Sequence, residues 1–577
     1  MIHGGKTFIA ACALVFLSAL AAAASAQVSS PSPSRPPAHA KHYMVAAAHP
    51  LAVEAGLSML DNGGNAVDAA IAAQLVLNLV EPHASGLGGG AYLLFYYARR
   101  NAIRAYDGRE TAPEAVTPAL FTAPDGKPMA FDDAVIGGRA VGVPGVPRLL
   151  ELSHARHGRL AWAALFQPAI DLAEKGFALS PRVHALLEND HGLVRDAAAK
   201  KYFYSADGKP KPAGTVLRNP EFARTLRALA ARGAEAFYSG GIARDIVAAV
   251  RGHAFNPGVM TEHDLAAYRV REVEALCAPY RAYRVCGMPP SSSGGIAVLQ
   301  ILGMLSRFDM AGVRPGSPEA VHLVAEAERL AFADRNRYVA DDRFAEVPIK
   351  GLIDPAYLAE RSKLIQEHKS MGKAEAGVPQ GIKVAYADDA VDEMAGTSHI
   401  AVVDQDGNAV SMTTTIETNF GSHVMVRGFL LNNQLTDFNF LPVEGGVRVA
   451  NGVYPGKRPR SSMAPTLVFD NSDKLYMAVG SPGGPFIIGY VAKTLIATLD
   501  WKMDMQSAID LPNFGSRNGP TEIEKGSAYE KLIGALRALG HETRTIDMAS
   551  GVHGIVRAKD GWQGGADSRR EGVARGR

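Results

Sequence analysis

The chain has 577 residues, 47% of them hydrophobic and 20% charged, with 59 glycines that imply many tight turns. This is the composition of an ordinary globular protein, and the length admits either several domains or one large core. A formal net charge of +2 gives no basic excess with which to hold a nucleic acid or another polyanion.

The first predicted element in chain order is an export signal, residues 1–26. Lys6 supplies its positive start, "FIAACALVFLSALAAAA" its apolar core, and Ala24-Ser25-Ala26 a cleavage site before Gln27. The apolar run is short and ends in small residues, which speaks against an uncleaved anchor. Cys12 lies before most of that run, unlike a lipoprotein cysteine. Residues 27–41 form a Pro/Ser-rich spacer expected to lack structure. No later stretch offers the roughly 18 apolar residues of a membrane helix. The processed chain is therefore expected to be soluble, periplasmic or secreted, without membrane contact.

Residues from about 42 to 340 read mostly as helices joined by Gly-rich turns. "HPLAVEAGLSMLDNGGNAVDAAIAAQLVLNLV" carries apolar residues at helical spacing, broken at Asn62-Gly63-Gly64. "YRAYRVCGMPP" reads as a strand entering a turn. Cys277 and Cys286 flank "APYRAYRV" and either close a short loop across a hairpin or stay as separate thiols. Ser317 and Pro318 supply the N-cap and first position of a helix running to about residue 339. Residues 367–396 read as an exposed linker, and from Thr397 the chain becomes strand-rich before returning to mixed helix and strand. Arg569-Arg570-Glu571, with Arg575 and Arg577, reads as a solvated tail. This succession predicts layered helices and an antiparallel sheet. There is no C-x-x-C, no HExxH and no His cluster at ligand spacing, so no metal site is expected.

Residues 398–415 read as a β-hairpin, with Asp406-Gly407 marking its turn. With the turn centred near Asp406, residues whose numbers sum to 812 face one another. Thr397 then faces Thr415, and Glu417 lies on the same side of its strand; a slip of one residue would reverse this. A threonine hydroxyl needs a base to act as a nucleophile. Cutting the chain before Thr397 would supply one, because an α-amine titrates near about 8.

Thr397-Ser398-His399 followed by "DGNAVSMTTTIETNFG" resembles the small-subunit start of the γ-glutamyltranspeptidases, N-terminal-nucleophile hydrolases that mature by self-cleavage before a threonine. Ala401 departs from the Ser or Thr usual there, a change expected to touch a strand contact more than the chemistry. "EPHASGLGGGAY", "YDGRETAP", "MPPSSSGGIAVLQIL", "FADRNRYVADD", "LLNNQLTDF", "GKRPRSSMAPTLVF" and "GSPGG" are similar to further family segments in the same order. The resemblance thus spans nearly the whole processed chain.

It implies an α+β fold, a four-layer αββα sandwich shared by a large subunit, 42–396, and a small subunit, 397–577, cut from one precursor. It also implies γ-glutamyltransferase and glutathione hydrolase chemistry without metal or organic cofactor. Thr397 would be the nucleophile of both self-cleavage and catalysis, oriented by Thr415, with Gly483 and Gly484 forming the oxyanion hole. Arg109 would grip the substrate α-carboxylate together with Ser461 and Ser462. Asp437 would pair with the α-ammonium, helped by Glu417 and Gln434; at position 417 the family carries Asn or Glu. Expected partners are small γ-glutamyl compounds such as glutathione, and amino acid or dipeptide acceptors. The segment between Asp437 and Ser461 is shorter than in lidded relatives, which predicts a more open pocket. Two competing readings are an acylase of the same fold, acting on β-lactam side-chain amides or poly-γ-glutamate, and a silent periplasmic binding protein. No G-x-S-x-G is present to support an elbow-type serine hydrolase.

Overall fold

The computed structural model describes residues 35–389 and 396–577; the predicted export signal lies outside the described residues. Seven strands of the two main sheets precede the linker: β1 (Ala38–Ala40), β2 (Met44–Ala47), β3 (Gly90–Tyr97), β4 (Ala102–Gly108), β5 (Arg271–Val273), β6 (Leu276–Tyr280) and β7 (Tyr283–Gly287). Seven follow it: β8 (Gly396–Val403), β9 (Ala409–Glu417), β10 (Thr466–Phe469), β11 (Leu475–Gly480), β12 (His553–Ala558), β13 (Gly561–Ala566) and β14 (Val573–Gly576). One sheet has the order β14-β2-β8-β9-β3-β4-β5 and the other β1-β13-β12-β11-β10-β7-β6. Each sheet therefore interleaves strands from both sides of residue 396, so neither half of the chain owns a complete core.

Side-chain alternation turns these sheets into inner layers. In β8, Ile400 and Val402 pack with α1 (Pro50–Asp61) and α2 (Ala66–Val80). Ala401 and Val403 point the other way, into the core shared with Leu467 of β10 and Val479 of β11. That core continues onto α3 (Gly294–Leu305), α4 (Pro318–Tyr338) and α5 (Ile487–Leu499). The result is the αββα sandwich. Ala401 meets Ser411, whose hydroxyl donates to the Val479 carbonyl at 3.0 Å, so the departure at 401 does fall on a contact between strands and sheets.

The predicted helices form with the expected caps. Ser317 Oγ accepts from Ala320 N at 3.1 Å, and an Asn65/Asp68 capping box starts α2 after the break at Gly63. Cys277 and Cys286 are opposite residues of β6 and β7 and are joined as a disulfide.

Three expectations need correction. The end of the spacer is a strand: β1 pairs with β13 at the sheet edge. The aromatic and β-branched runs at 90–97 and 102–108 fall in the region read as mostly helical, yet β3 and β4 stand beside the hairpin. The linker is not uniformly exposed, since Asp389 is 2% exposed. Among the described residues no helix is long and apolar enough to cross a membrane.

Candidate active site

The β8–β9 hairpin adopts the predicted register, Thr397 opposite Thr415, with an irregularity between Gly396 and Thr397 that sets Gly396 opposite Glu417. Its turn is built by Asp404, whose Oδ1 accepts from the N–H groups of Asp406 and Asn408. Asp404 Oδ2 accepts from Ala66 N at 3.0 Å, tying the turn to the start of α2. Gly407, at φ 81°, takes the left-handed position that the turn requires.

At the open end of the hairpin, one hydroxyl links the two groups that matter. Thr415 Oγ1 donates to the Gly396 carbonyl at 2.5 Å. A carbonyl can only accept, so Thr415 in turn accepts from Thr397 Oγ1 at 3.3 Å and from Glu417 N at 2.8 Å. The candidate nucleophile and the carbonyl in front of it therefore share Thr415. Among the described residues, the side chain hydrogen-bonded to Thr397 Oγ1 is the Thr415 hydroxyl. His399, on the same strand, bonds Thr413 at 2.9 Å and is held neutral by burial.

Glu417 is a non-glycine residue at φ 83°, a conformation that costs of order 1–3 kcal/mol and persists only when neighbours enforce it. Asn433 does so: its Nδ2 donates to Glu417 Oε2, and its Oδ1 accepts from Thr418 N and Oγ1.

Arg109 leaves the end of β4 and is 1% exposed. Its backbone N donates to Asp107 Oδ1 at 2.9 Å, its Nε to Pro459 O at 3.3 Å and its Nη2 to Arg460 O at 3.0 Å. The same Nη2 forms a short ion pair with Asp437 Oδ2, to which Gln434 Nε2 donates at 2.7 Å. Ser462 Oγ accepts from Arg335 Nη2 at 2.6 Å, and Ser461 Oγ from Met463 N at 3.1 Å. Beside Arg109, Glu110 is fully buried, and neither carboxylate oxygen has a hydrogen-bond partner among the described residues. Burial pushes its carboxyl up to about 8 against the pull of Arg109.

Nine of the ten predicted site residues line one cavity, with Met463 and Ile487. Gly483 does not line it: this glycine, at φ 137°, faces the Tyr490 ring. Gly484 does, and among the described residues neither glycine's N–H has a partner. Those donors stand just before α5. The cavity holds only about 20 Å³, room for about one water, and the Arg109–Asp437 pair lies in its wall. None of residues 438–460 lines it. A larger cavity of about 650 Å³, with Arg139, His253 and His423 in its wall, contains none of these residues.

The carboxyl-terminal charges divide: Arg575 and Arg577 are exposed, as a solvated tail requires, whereas Arg569 and Arg570 are withdrawn from solvent. Arg570 is buried, and its Nη1 donates to the Thr397 carbonyl at 3.1 Å. Burial, with Arg182 nearby, lowers this guanidinium to about 10. Ser398 Oγ donates to the buried Glu81, whose carboxyl burial raises. Arg569 pairs with Glu524 and Asp567, and β14 extends the sheet that holds Thr397. Arg570 meets Thr397 across 173 residues, a partner that no local pattern reveals.

A profile for the family described as Gamma-glutamyltranspeptidase matches residues 52–576. The chain belongs to that family. It is 37% identical over 548 residues to the glutathione hydrolase proenzyme of Bacillus subtilis (strain 168), covering 93% of this chain and 92% of that protein. It is 35% identical to the acylase ACY 1 proenzyme of Pseudomonas sp. (strain SE83), covering 92% of each. The crystal structure of cephalosporin acylase from Bacillus halodurans superposes with a TM-score of 0.83 at 28% identity, covering 95% of this chain and 98% of that one. As a member of this family the chain is an enzyme of the N-terminal-nucleophile fold.

The fold also gathers one trio that sequence spacing hid: the buried His322, Glu326 and His541, with ligand-capable atoms within 4.8 Å. Each atom is engaged within the protein. His322 bonds His541 and the Gln366 carbonyl, His541 bonds Thr521, and Glu326 accepts from Arg329, Ser370 and Met371.

Proposed function

We propose that the chain is an exported γ-glutamyltransferase and glutathione hydrolase precursor, processed into 27–396 and 397–577. The observation that carries this reading is the Thr415 hydroxyl joining Thr397 to the Gly396 carbonyl, at the edge of a pocket lined by the buried Arg109 and the buried carboxylates of Asp437 and Glu417. In self-cleavage Thr397 Oγ adds to the Gly396 carbonyl carbon, with Thr415 donating to the oxygen that becomes negative. The Gly396–Thr397 C–N bond breaks, the nitrogen takes the proton, and water hydrolyses the ester, freeing the Thr397 amine and hydroxyl.

That amine then serves as the base in turnover. In turnover Thr397 Oγ attacks the γ-carbonyl of the donor, the amine passes its proton to the leaving group, and water or an amino acid or peptide takes the acyl group. Two carboxylate-and-ammonium partners are needed for the glutamyl end. The Arg109 fork and the Ser461 and Ser462 hydroxyls suit the carboxylate. Asp437, Gln434 and Glu417 suit the ammonium, so a bound donor replaces the internal Arg109–Asp437 pair with two pairs of its own. The N–H groups of Gly483 and Gly484 suit the oxyanion.

Turnover of γ-glutamyl-p-nitroanilide by the processed protein tests the reading. A wild-type protein that is cut yet prefers a glutaryl or β-lactam side-chain amide would instead support the acylase reading, which the likeness to cephalosporin acylase favours as second choice. An uncut chain without an acyl-enzyme would support a silent binding protein.

A further inference from the structure

Cys277 and Cys286 join β6 to β7 as opposite residues, and β6 is the last strand of its sheet. The two sulfurs sit in different surroundings. Cys286 is 0% exposed and belongs to the core with Leu467, whereas Cys277 is partly exposed. Both face one cation. Arg284, two residues before Cys286 on the same side of β7, brings Nη1 to 3.3 Å from Cys286 Sγ and 3.7 Å from Cys277 Sγ. Its guanidinium is held there. Nη2 and Nε lie 2.9 and 3.0 Å from Asp473 Oδ1, and the group stacks 4.5 Å over the Phe469 ring. Asp473 is 58% exposed, so solvent screens much of its charge. None of these residues lines the pocket of Thr397.

A disulfide opens when a thiolate attacks one sulfur and the other departs as a thiolate, faster when the departing thiolate is stabilised. Here the accessible sulfur and the stabilised leaving group are different atoms. A small thiol that loses its proton to solvent and reaches Cys277 forms a new S–S bond to Cys277 Sγ. The Cys277–Cys286 bond breaks, and its electron pair stays on Cys286 Sγ, beside the Arg284 cation. The incoming thiol is the reductant: its sulfur ends in a mixed disulfide with Cys277, and Cys286 is reduced. Attack on Cys286 would instead require entry into the core and would leave the thiolate on the sulfur farther from Arg284.

We propose that the Cys277–Cys286 disulfide is a thiol-exchange site, at which a small cysteine-containing peptide thiol attaches to Cys277. The site is separate from the γ-glutamyl pocket and stands whether or not that reading of the pocket holds. The test incubates purified wild type with reduced cysteinylglycine, which carries no γ-glutamyl group and so needs no turnover. Acid quenching, alkylation of free thiols and peptide mapping then read each cysteine; Cys12, in the expected export signal, maps apart from both.

An alkylatable thiol appears at Cys286, while Cys277 carries the dipeptide or, once a second thiol has removed it, is free. Arg284→Met opens about tenfold more slowly, and Arg284→Lys, which keeps a cation, stays within about threefold of wild type. Because the Cys286 thiolate can expel the dipeptide again, single-cysteine variants supply a second reading. Given the disulfide form of the dipeptide, Cys286→Ser takes up one dipeptide at Cys277, whereas Cys277→Ser takes up none at the buried Cys286 in the same time. A disulfide that stays closed would overturn the proposal. So would uptake at Cys286 as fast as at Cys277, or equal opening rates in wild type and Arg284→Met.

Discussion

The β8–β9 hairpin and the carboxyl-terminal segment 567–577 both press on Thr397, but only one announces this in the sequence. In the hairpin, the Asp404–Asn408 turn sets the register, and Thr415 arrives opposite Thr397 by counting. Arg570 meets the Thr397 carbonyl across 173 residues, from a run of charges that by default lies on a solvated face. Local geometry propagates along a strand pair; a buried long-range ion does not leave a periodic signal. The hairpin places Thr397 against Thr415, and Arg570 of the tail holds the Thr397 carbonyl.

The largest expected effect comes from the tail. Arg570→Met removes the donor to Thr397 and the cation near the buried Glu81. Stability should fall by about 3 kcal/mol or more, as for a broken buried charge arrangement, read as a lower denaturant midpoint together with unprocessed chain. A wild-type midpoint with normal cleavage would mean that the tail is peripheral after all. Next is Thr415→Val, which keeps the shape but removes the hydroxyl shared by Thr397 and Gly396. Self-cleavage should slow by about 10² to 10³, the scale of one lost oxyanion donor, followed by densitometry of the precursor band with time. Unchanged cleavage would detach the hairpin register from the chemistry.

Arg109→Lys keeps the charge but loses the planar fork, so KM for the donor should rise about tenfold or more with a smaller change in kcat; initial rates decide it. A further effect is a pH slope. Glu110 is raised from 4.5 to about 8 in the fold. Its contribution to stability is therefore fully present below its unfolded value and lost as pH rises through about 8. Glu110→Gln should flatten the fall of Tm between about pH 5 and 8 relative to wild type. Parallel Tm curves for the two proteins would refute it.

Much of the site was legible from short motifs. Arg109, Gln434, Asp437, Ser461 and Ser462 converge although they come from separate segments, and the resemblance, not periodicity, linked them. The four-layer fold was likewise implied by resemblance, while the pattern alone predicted only layered helices and a sheet. β3 escaped because "AYLLFYY" is buried on both faces and shows no alternation. Asn433, which holds Glu417 in its left-handed conformation, sits in a quoted motif without any local sign of that role. Asp389 looked like linker because polar composition does not distinguish a solvated carboxylate from one enclosed by Asn439, Asn451 and Arg460. Gly483 and Gly484 read as one pair, yet only the second lines the cavity.

The most direct measurement is the intact mass of purified wild type and Thr397→Ala. Wild type should separate into two chains, the smaller beginning at Thr397, while the alanine protein should remain a single chain. An alanine protein still cut before position 397 would contradict self-processing by Thr397 and with it the nucleophile assignment.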